Sequence, residues 1–458
     1  MSKPISLSVC AALTGMSFAG VYEGYEDWQW RPVHVADSNA AENVRFESDL
    51  TVPTHGPWLT LPDMTAMTVT WMTRIPCAGG IEYWEQGTTN RVERWQVRYG
   101  MLDCKKDIHS YRLTGLKPGT TYEYRLLSFL DEYSSPWGYV GRARETHAFR
   151  TLDMKRDNYR VFLTSDLHGG ARLTLTPKYK FTGAKDADFF IFLGDNVSDG
   201  AYNNYRFYVT MGFLDDVTRL WGPSKPSIFI RGNHDIVGPD ADRHGEIFPQ
   251  PGEKTYYAFR HGPCFFVTMD TMWPPRNAFK NRHWQAYMRE QVEWLRGLKK
   301  TPAWQSASFR LVFFHVPLFP SHTDFALEFF GPELLDETPG GRVHAVLSGH
   351  EHSYARVNPN TQESRVNNAY GDFPTEGRRA YPPKSFRRGK IPERFPFVSV
   401  VCHAGEAMTI DVSSEKLVFK SHRVTDKAGG VYDAFEINAD GKVNDLVLTT
   451  VYPLSPER

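Results

Sequence analysis

The stretch Ser227-Ile228-Phe229-Ile230 runs into Arg231-Gly232-Asn233-His234-Asp235. The first four residues, bounded upstream by Gly222, Pro223 and Pro226, read as a short buried strand that stops abruptly. Gly232 lets the backbone turn where a side chain would obstruct. The turn then offers an amide, an imidazole and a carboxylate in succession. The C-terminal end of a strand is where open α/β sheets place their ligands. Alone, the pentapeptide reads equally as a polar turn; the segments on either side decide against that.

Four other strand ends carry the same kinds of residue. Arg160–Thr164 precedes Asp166-Leu167-His168, whose first and third side chains share one side of an extended chain. Asp188–Leu193 precedes Gly194-Asp195-Asn196, Leu311–Phe314 precedes His315, and Val343–Leu347 precedes Gly349-His350-Glu351-His352. Singly these are a capped turn, a common dipeptide, a core histidine and a moderate signal. In this order, each behind an apolar strand, they point to a metal site. Glu351, between two candidate ligands, is expected to point away. Asn203, His244 and His322 are weaker candidates for the same cleft.

Helical patterns over Tyr205–Trp221 and His283–Lys299 separate these strands. Tyr256–Arg260 and Cys264–Met269 flank His261-Gly262-Pro263 as a hairpin. Strands alternating with helices predict a largely parallel sheet with covered faces. Residues from about 354 to 395 break the pattern with Pro, Asn and clustered Arg and Lys between Arg378 and Arg394. This basic loop is expected to be a solvated insertion, or else a patch that attracts an anionic substrate. Beyond it, strand-like runs at 397–401, 408–412, 417–420 and 431–437 are expected to add a second sheet.

The segment from His55 to about Leu152 has a different grammar of short alternating strands and Pro/Gly turns, which predicts an antiparallel sandwich. Leu113-Thr114-Gly115-Leu116-Lys117-Pro118-Gly119-Thr120-Thr121-Tyr122-Glu123-Tyr124 resembles the fibronectin type III pattern, in which a tyrosine after the turn bonds backbone at a corner. This module holds no catalytic cluster and reads as a rigid neighbour of the cleft.

Size and composition allow two or three domains. The chain has 458 residues, 41% hydrophobic and 14% aromatic, enough to bury large cores. Lys+Arg and Asp+Glu both number 53, and this balance argues against a general nucleic-acid or membrane-surface binder while leaving local basic sites open. No run reaches the roughly 18 apolar residues of a spanning helix. Residues 5–21 read as a weak secretory signal, which predicts a secreted or periplasmic protein; the alternative is a first strand in a cytoplasmic one. With five cysteines and no CxxC pair, a cysteine zinc site is not expected. Cys77 and Cys104 read either as a disulfide or as buried thiols.

The ordered set Asp-x-His, Gly-Asp, Gly-Asn-His-Asp, His and Gly-His-x-His resembles the calcineurin-like metallophosphoesterases over about residues 159–440. With the module in front, the chain resembles the purple acid phosphatase branch. The resemblance implies an α/β fold, a four-layer αββα sandwich preceded by an all-β fibronectin III-like sandwich. The expected organisation is a lead-in at 1–50, the β-sandwich at 51–152, and the catalytic domain at 153–458 with its inserted loop at about 354–395.

The resemblance also implies two divalent ions, of iron, zinc or manganese. One would take Asp166, His168, Asp195 and His352, and the other Asp195, Asn233, His315 and His350. The implied reaction is hydrolysis of a small phosphorylated substrate, a phosphomonoester first, by a metal-bound hydroxide with His234 as proton donor and Asp235 orienting His234. Asn203 and His322 would contact substrate. A phosphodiesterase or nucleotide hydrolase is the alternative, and a catalytically silent binding protein a further one. No nucleic-acid partner is indicated. Where the purple members carry a tyrosine three residues after the second-motif aspartate, this sequence has Ser198, so their colour is not expected.

Overall fold

The structure, a computed structural model, describes residues 53–130, 139–142, 145–169, 171–198, 204–271, 282–318, 325–352, 354–361, 363–367, 395–402, 404–425, 428–447 and 451–453. The signal segment, Asn203, His322 and the basic loop Arg378–Arg394 lie outside the described residues.

The front module holds β1 Pro53–Thr60, β2 Ala66–Glu85, β3 Val92–Trp95, β4 Val97–Arg98, β5 Met101–Leu102, β6 Lys106–Thr114, β7 Thr121–Leu130, β8 Tyr139–Arg142 and β9 His147–Arg150. The runs expected as two strands, Met67–Met72 and Gly80–Trp84, are one continuous strand. The first part of β2 pairs with β1 and β6, and from Ala78 onward it pairs with β7 and β3. Ala78-Gly79-Gly80 marks the change of partner. There the backbone meets the His109 and Trp95 rings so closely that a Cβ on either glycine would stand under 3 Å from them. The corner tyrosine is Tyr122, whose hydroxyl accepts from Lys117 N at 2.9 Å. Tyr124 instead reaches across to the second domain and donates to Pro223 O at 2.8 Å.

The second domain follows with β10 Tyr159–Thr164, β11 Ala187–Phe192, β12 Ser227–Phe229, β13 Tyr257–His261, β14 Cys264–Thr268, β15 Phe309–Phe313, β16 Ala345–Ser348, β17 Tyr354–Val357, β18 Glu363–Asn367, β19 Val398–Val401, β20 Ala407–Val412, β21 Lys416–Val424, β22 Gly429–Asn438, β23 Val443–Val447 and β24 Val451–Pro453. They form two mixed sheets, β12-β11-β10-β20-β21-β22-β23 and β13-β14-β15-β16-β19-β17-β18-β24. The expected second sheet built from C-terminal strands is therefore corrected. β19 enters beside β16 in parallel, and β20 lies antiparallel to β10 and extends the other sheet. The stretch read as an insertion from 354 likewise opens with the paired strands β17 and β18.

Alternation along the strands makes the layers. Val161, Leu163, Ile191, Leu311, Phe313 and Leu347 meet in the core between the sheets. Their neighbours face the other way. Phe162, Phe190 and Phe192 pack on Val209, Phe213 and Val217 of the helical stretch Arg206–Leu214 and Asp215–Leu220. Val312, Phe314 and Val346 pack on Trp284, Met288 and Leu295 of the helix Arg282–Lys299. Strands buried on both faces explain the near-continuous apolar runs.

The front module is welded to this domain. Trp58, Met72 and Ile108 belong to the same buried cluster as Phe162 and Phe190. Trp58 Nε1 donates to Ile247 O at 3.0 Å, and Tyr257 Oη to Pro62 O at 2.6 Å. Asp107 takes Arg206 at 2.7 Å, Arg243 at 2.9 Å and the Tyr205 hydroxyl at 2.8 Å. Burial opposes ionisation of Asp107, but Arg206, Tyr205 and Arg243 outweigh it and hold its pKa down at about 2. A depressed carboxylate pKa stabilises the fold above its unfolded value near ~3.9 and stops doing so as pH falls through the folded value. Wild type is therefore expected to exceed Asp107→Asn in urea stability by about 2 kcal/mol at pH 5 and above. The gap should close between about pH 4 and pH 2; a constant gap across that window would exclude the clasp as its source.

Candidate metal centre

All five ligand-bearing loops leave the C-terminal ends of strands. Those after β10, β11 and β12 come from one sheet, and those after β15 and β16 from the other. The ladders continue beyond the strands and hold the loops in register. Asp166 N donates to Gly194 O, His168 N to Asp195 O and Gly169 N to Asn196 O, all at 3.0 Å, while Gly349 N donates to His315 O at 2.9 Å. The two sheets meet where His350 N donates to the Asp166 carboxylate at 3.0 and 3.1 Å.

The side chains converge in two groups that share one carboxylate. Asp166, His168, Asp195 and His352 offer ligand atoms that all lie within 4.8 Å of one another, and so do Asp195, His315 and His350. In the first group His168 Nε2 and His352 Nε2 are 2.9 Å apart, and His352 Nε2 is 3.5 Å from Asp166 Oδ1. In the second, Asn233 Oδ1 lies 3.1 Å from His315 Nε2 and 2.9 Å from His350 Nδ1. His315 Nε2 is 3.2 Å from Asp195 Oδ2.

This donor set suits cations. His315 Nδ1 donates to Leu193 O at 2.7 Å, so its Nε2 is left to point a lone pair at Asp195 and Asn233, which are acceptors too. Acceptors facing acceptors in a buried pocket need a positive charge between them. A proton serves that need in part. Burial works against charging His315, but the bonded Asp195 carboxylate outweighs it and moves the ring up to about 9. Asp195 shifts down correspondingly, with burial opposing and His315 prevailing. Burial, then the His315 charge, lowers His350 to about 4, so that ring is a neutral donor at neutral pH. Imidazole nitrogens with carboxylate and amide oxygens fit zinc, iron or manganese.

The backbone is bent to achieve this. Asp166, His168, Asp195, His350 and His352 all have positive φ, between 50° and 72°. That region is uncommon for side-chain-bearing residues and concentrates at functional sites.

Two glycines allow the loops to touch. A Cβ on Gly232 would lie 2.2 Å from Asp195 Oδ1 and 2.3 Å from its backbone nitrogen; one on Gly349 would lie 1.9 Å from Ser165 Oγ and 2.6 Å from Asp166 Oδ2. Gly349→Ala is expected to displace Asp166 and weaken metal retention by roughly 10–100-fold, with an unchanged far-ultraviolet circular dichroism spectrum. Undiminished metal affinity in a competitive chelator titration would count against this packing account.

Residues 159–354 match the calcineurin-like phosphoesterase family. The chain carries a calcineurin-like phosphoesterase domain. Residues 56–151 match the purple acid phosphatase N-terminal domain, and the chain is a phosphoester hydrolase. No curated protein matches the sequence. Among solved structures, a purple acid phosphatase from yellow lupin (Lupinus luteus) seeds aligns with a TM-score of 0.56 at 17% identity, over 85% of this chain and 74% of the lupin one. PhoD aligns at 0.56 and 12% identity, over 87% and 93%. At such identities the likeness is one of fold.

Within the phosphoesterase domain, exposure divides the pocket. The His315 side chain is fully buried, whereas His234 is 29% and His352 49% exposed. Solvent therefore reaches the first group of ligands, beside His234. The His234 ring stands 4.8 Å from that of His168, edge on, with Nε2 3.7 Å from Asp195 Oδ2.

Asp235 departs from expectation. Instead of orienting His234, its buried carboxylate accepts from Asn196 N at 3.0 Å, Val197 N at 3.3 Å, Gly232 N at 2.9 Å and Asn196 Nδ2 at 3.4 Å. Both oxygens are occupied in tying the second loop to the third. Burial, then the neighbouring Asp195 charge, raises it to about 6.

Ser198 Oγ, at the tyrosine position, donates to His168 O at 2.6 Å and steadies the first loop. His244 is buried against Phe248, with ring centroids 5.0 Å apart. Cys77 and Cys104 are not joined in a disulfide. Burial pushes the Cys77 thiol up to about 11.

Sequence reasoning passed over two supports. Ser165 Oγ donates to Asp166 Oδ2 at 2.5 Å. Arg231 pairs with the buried Asp270, whose backbone N donates to Gln291 Oε1 at 2.8 Å, anchoring the third loop to the helix Arg282–Lys299. The position of Ser165, directly before a ligand, was the one available signal.

Proposed function

We propose that this chain hydrolyses phosphomonoesters at a centre of two divalent cations, held by Asp166, His168, Asp195 and His352 on one side and by Asp195, Asn233, His315 and His350 on the other. The observation that carries this reading is the membership of Asp195 in both donor groups, which makes a shared carboxylate the natural bridge. Cations bound there would supply Lewis-acid stabilisation of a phosphoryl group and a hydroxide nucleophile near neutral pH.

The chain's own residues do the rest. His234, partly exposed and 3.7 Å from the bridging carboxylate, is placed at the open side to give a proton to the leaving oxygen. Asp235 and Ser198 keep the ligand loops in place through backbone bonds. Asn203 and His322 are proposed to contact substrate. The monoester preference rests on the purple acid phosphatase front module and on the fold likeness to a phosphatase.

The test strips the purified chain with chelator, reloads it with manganese or zinc, and compares an aryl phosphate with a bis-aryl phosphodiester. The aryl phosphate is expected to be favoured in kcat/KM by at least about tenfold, or ~1.4 kcal/mol. The reverse ratio would establish the diesterase reading. No turnover of either compound, with metal bound at two per chain, would establish a binding protein.

A further inference from the structure

The front module extends a finger that the catalytic centre does not use. β4 and β5 pair with each other, Val97 opposite Leu102 and Arg98 opposite Met101. Tyr99 and Gly100 form the tip, with φ of 53° and 78°. Positive φ at both central positions is the geometry of a tight hairpin turn that favours Asn-Gly or Asp-Gly. A tyrosine there is strained, and backbone strain concentrates at functional positions.

The tip is also conspicuously apolar. Tyr99 is 88% exposed, Met101 69% and Val97 60%, the three highest values for large hydrophobic residues among those described, and Leu102 adds 37%. The Arg98 guanidinium lies 5.2 Å from the centre of the Tyr99 ring. Arg94, Lys105 and Lys106 are exposed toward the base, whereas Arg91 lies at the other end of β3, over the Trp84 ring and paired with Glu82 at 3.4 Å. Of the nearby acids, Asp103 pairs with Lys106 at 3.6 Å, Glu93 accepts from Trp95 Nε1 at 2.6 Å, and Asp107 is held by two arginines of the catalytic domain. The finger therefore ends in apolar side chains above a basic collar.

We propose that this finger docks the protein reversibly on an anionic lipid surface, with Tyr99, Met101 and Val97 entering the boundary between headgroups and acyl chains and the collar meeting lipid phosphates. Residues opposite one another in a hairpin share a face. Val97 and Leu102 thus lie on one face and Met101 on the other, with Tyr99 at the apex. A protein partner packs against a single face, whereas a fluid bilayer surrounds a tip on all sides. Tyrosine at the apex and arginine and lysine behind it match the chemistry of the membrane interface, and each basic residue near an anionic surface adds to the attraction. No described helix is long and apolar enough to cross a membrane.

The experiment is co-sedimentation of the full chain with vesicles of phosphatidylcholine alone or with about 30% phosphatidylserine, at about 0.1 M and about 0.5 M salt. Binding to the anionic vesicles is expected to exceed binding to the neutral ones by about tenfold, and to fall in high salt. Tyr99→Ser with Met101→Ser should lower partitioning by about tenfold or more, and Arg98→Glu should lower it selectively on anionic vesicles. Both variants should keep wild-type turnover of a soluble aryl phosphate, which verifies their folding. Absence of binding to anionic vesicles, or equal binding by the serine variant, would overturn the proposal. A dimer in sedimentation velocity that the serine variant dissolves, without vesicle binding, would overturn it in favour of a second copy of this chain.

Discussion

Asp195→Ala is expected to abolish turnover and empty both metal positions together. Asp195 is 1% exposed and contributes to both donor groups. Only two carboxylates, Asp166 and Asp195, appear among the grouped ligands, so the substitution removes half of the negative charge that holds cations there. It also frees the backbone nitrogen of His234, which donates to Asp195 Oδ1 at 2.8 Å. Asp166→Ala is the informative partner, since it leaves Asp195, Asn233, His315 and His350 intact. Elemental analysis after dialysis should therefore find close to no bound metal in the first variant and about half the wild-type amount in the second, with turnover lowered by roughly 10³-fold or more in both. Thermal melts should show each variant folded. An Asp195→Ala protein that keeps its full metal complement would refute the shared-ligand arrangement.

His234→Ala should behave in the opposite way, with metal content unchanged and kcat reduced by roughly 10²–10⁴-fold. The His234 ring is in neither ligand group, yet it borders the open side of the pocket against His168. A proton donor has a signature that a structural role lacks. The loss should be severe for an alkyl phosphate, whose leaving oxygen needs the proton, and much smaller for a nitrophenyl phosphate, whose leaving group does not. Equal losses on both substrates would assign His234 to binding or positioning.

Much of the centre was legible in the chain because its signals are local. An apolar strand, a glycine and a ligand at each strand end are features of a few adjacent residues. The corner tyrosine was legible for the same reason, although only the structure separates Tyr122, which bonds Lys117, from Tyr124, which reaches Pro223. What escaped were contacts between residues far apart in sequence. The division of the C-terminal strands between two sheets depends on pairings such as β10 with β20, and alternation specifies a strand's faces without naming its neighbour. The continuity of β2 escaped because Ala78-Gly79-Gly80 reads as a turn until both sets of partners are present.

Asp235 illustrates the limit at a single residue. Adjacent to His234, it suggested a carboxylate orienting an imidazole. Its side chain instead turns inward, where the amides of Asn196, Val197 and Gly232 would be left unbonded without it, and satisfying buried backbone donors outweighs a partly solvated contact. The amino-acid sequence by itself determined which side chains can ligate and that each sits where a strand ends, because periodicity and glycine placement act over a few residues. Only the tertiary structure decided that loops from two sheets meet at Asp195 and that the front module is welded to the catalytic domain, because those outcomes are set by register and packing between segments that no local rule connects.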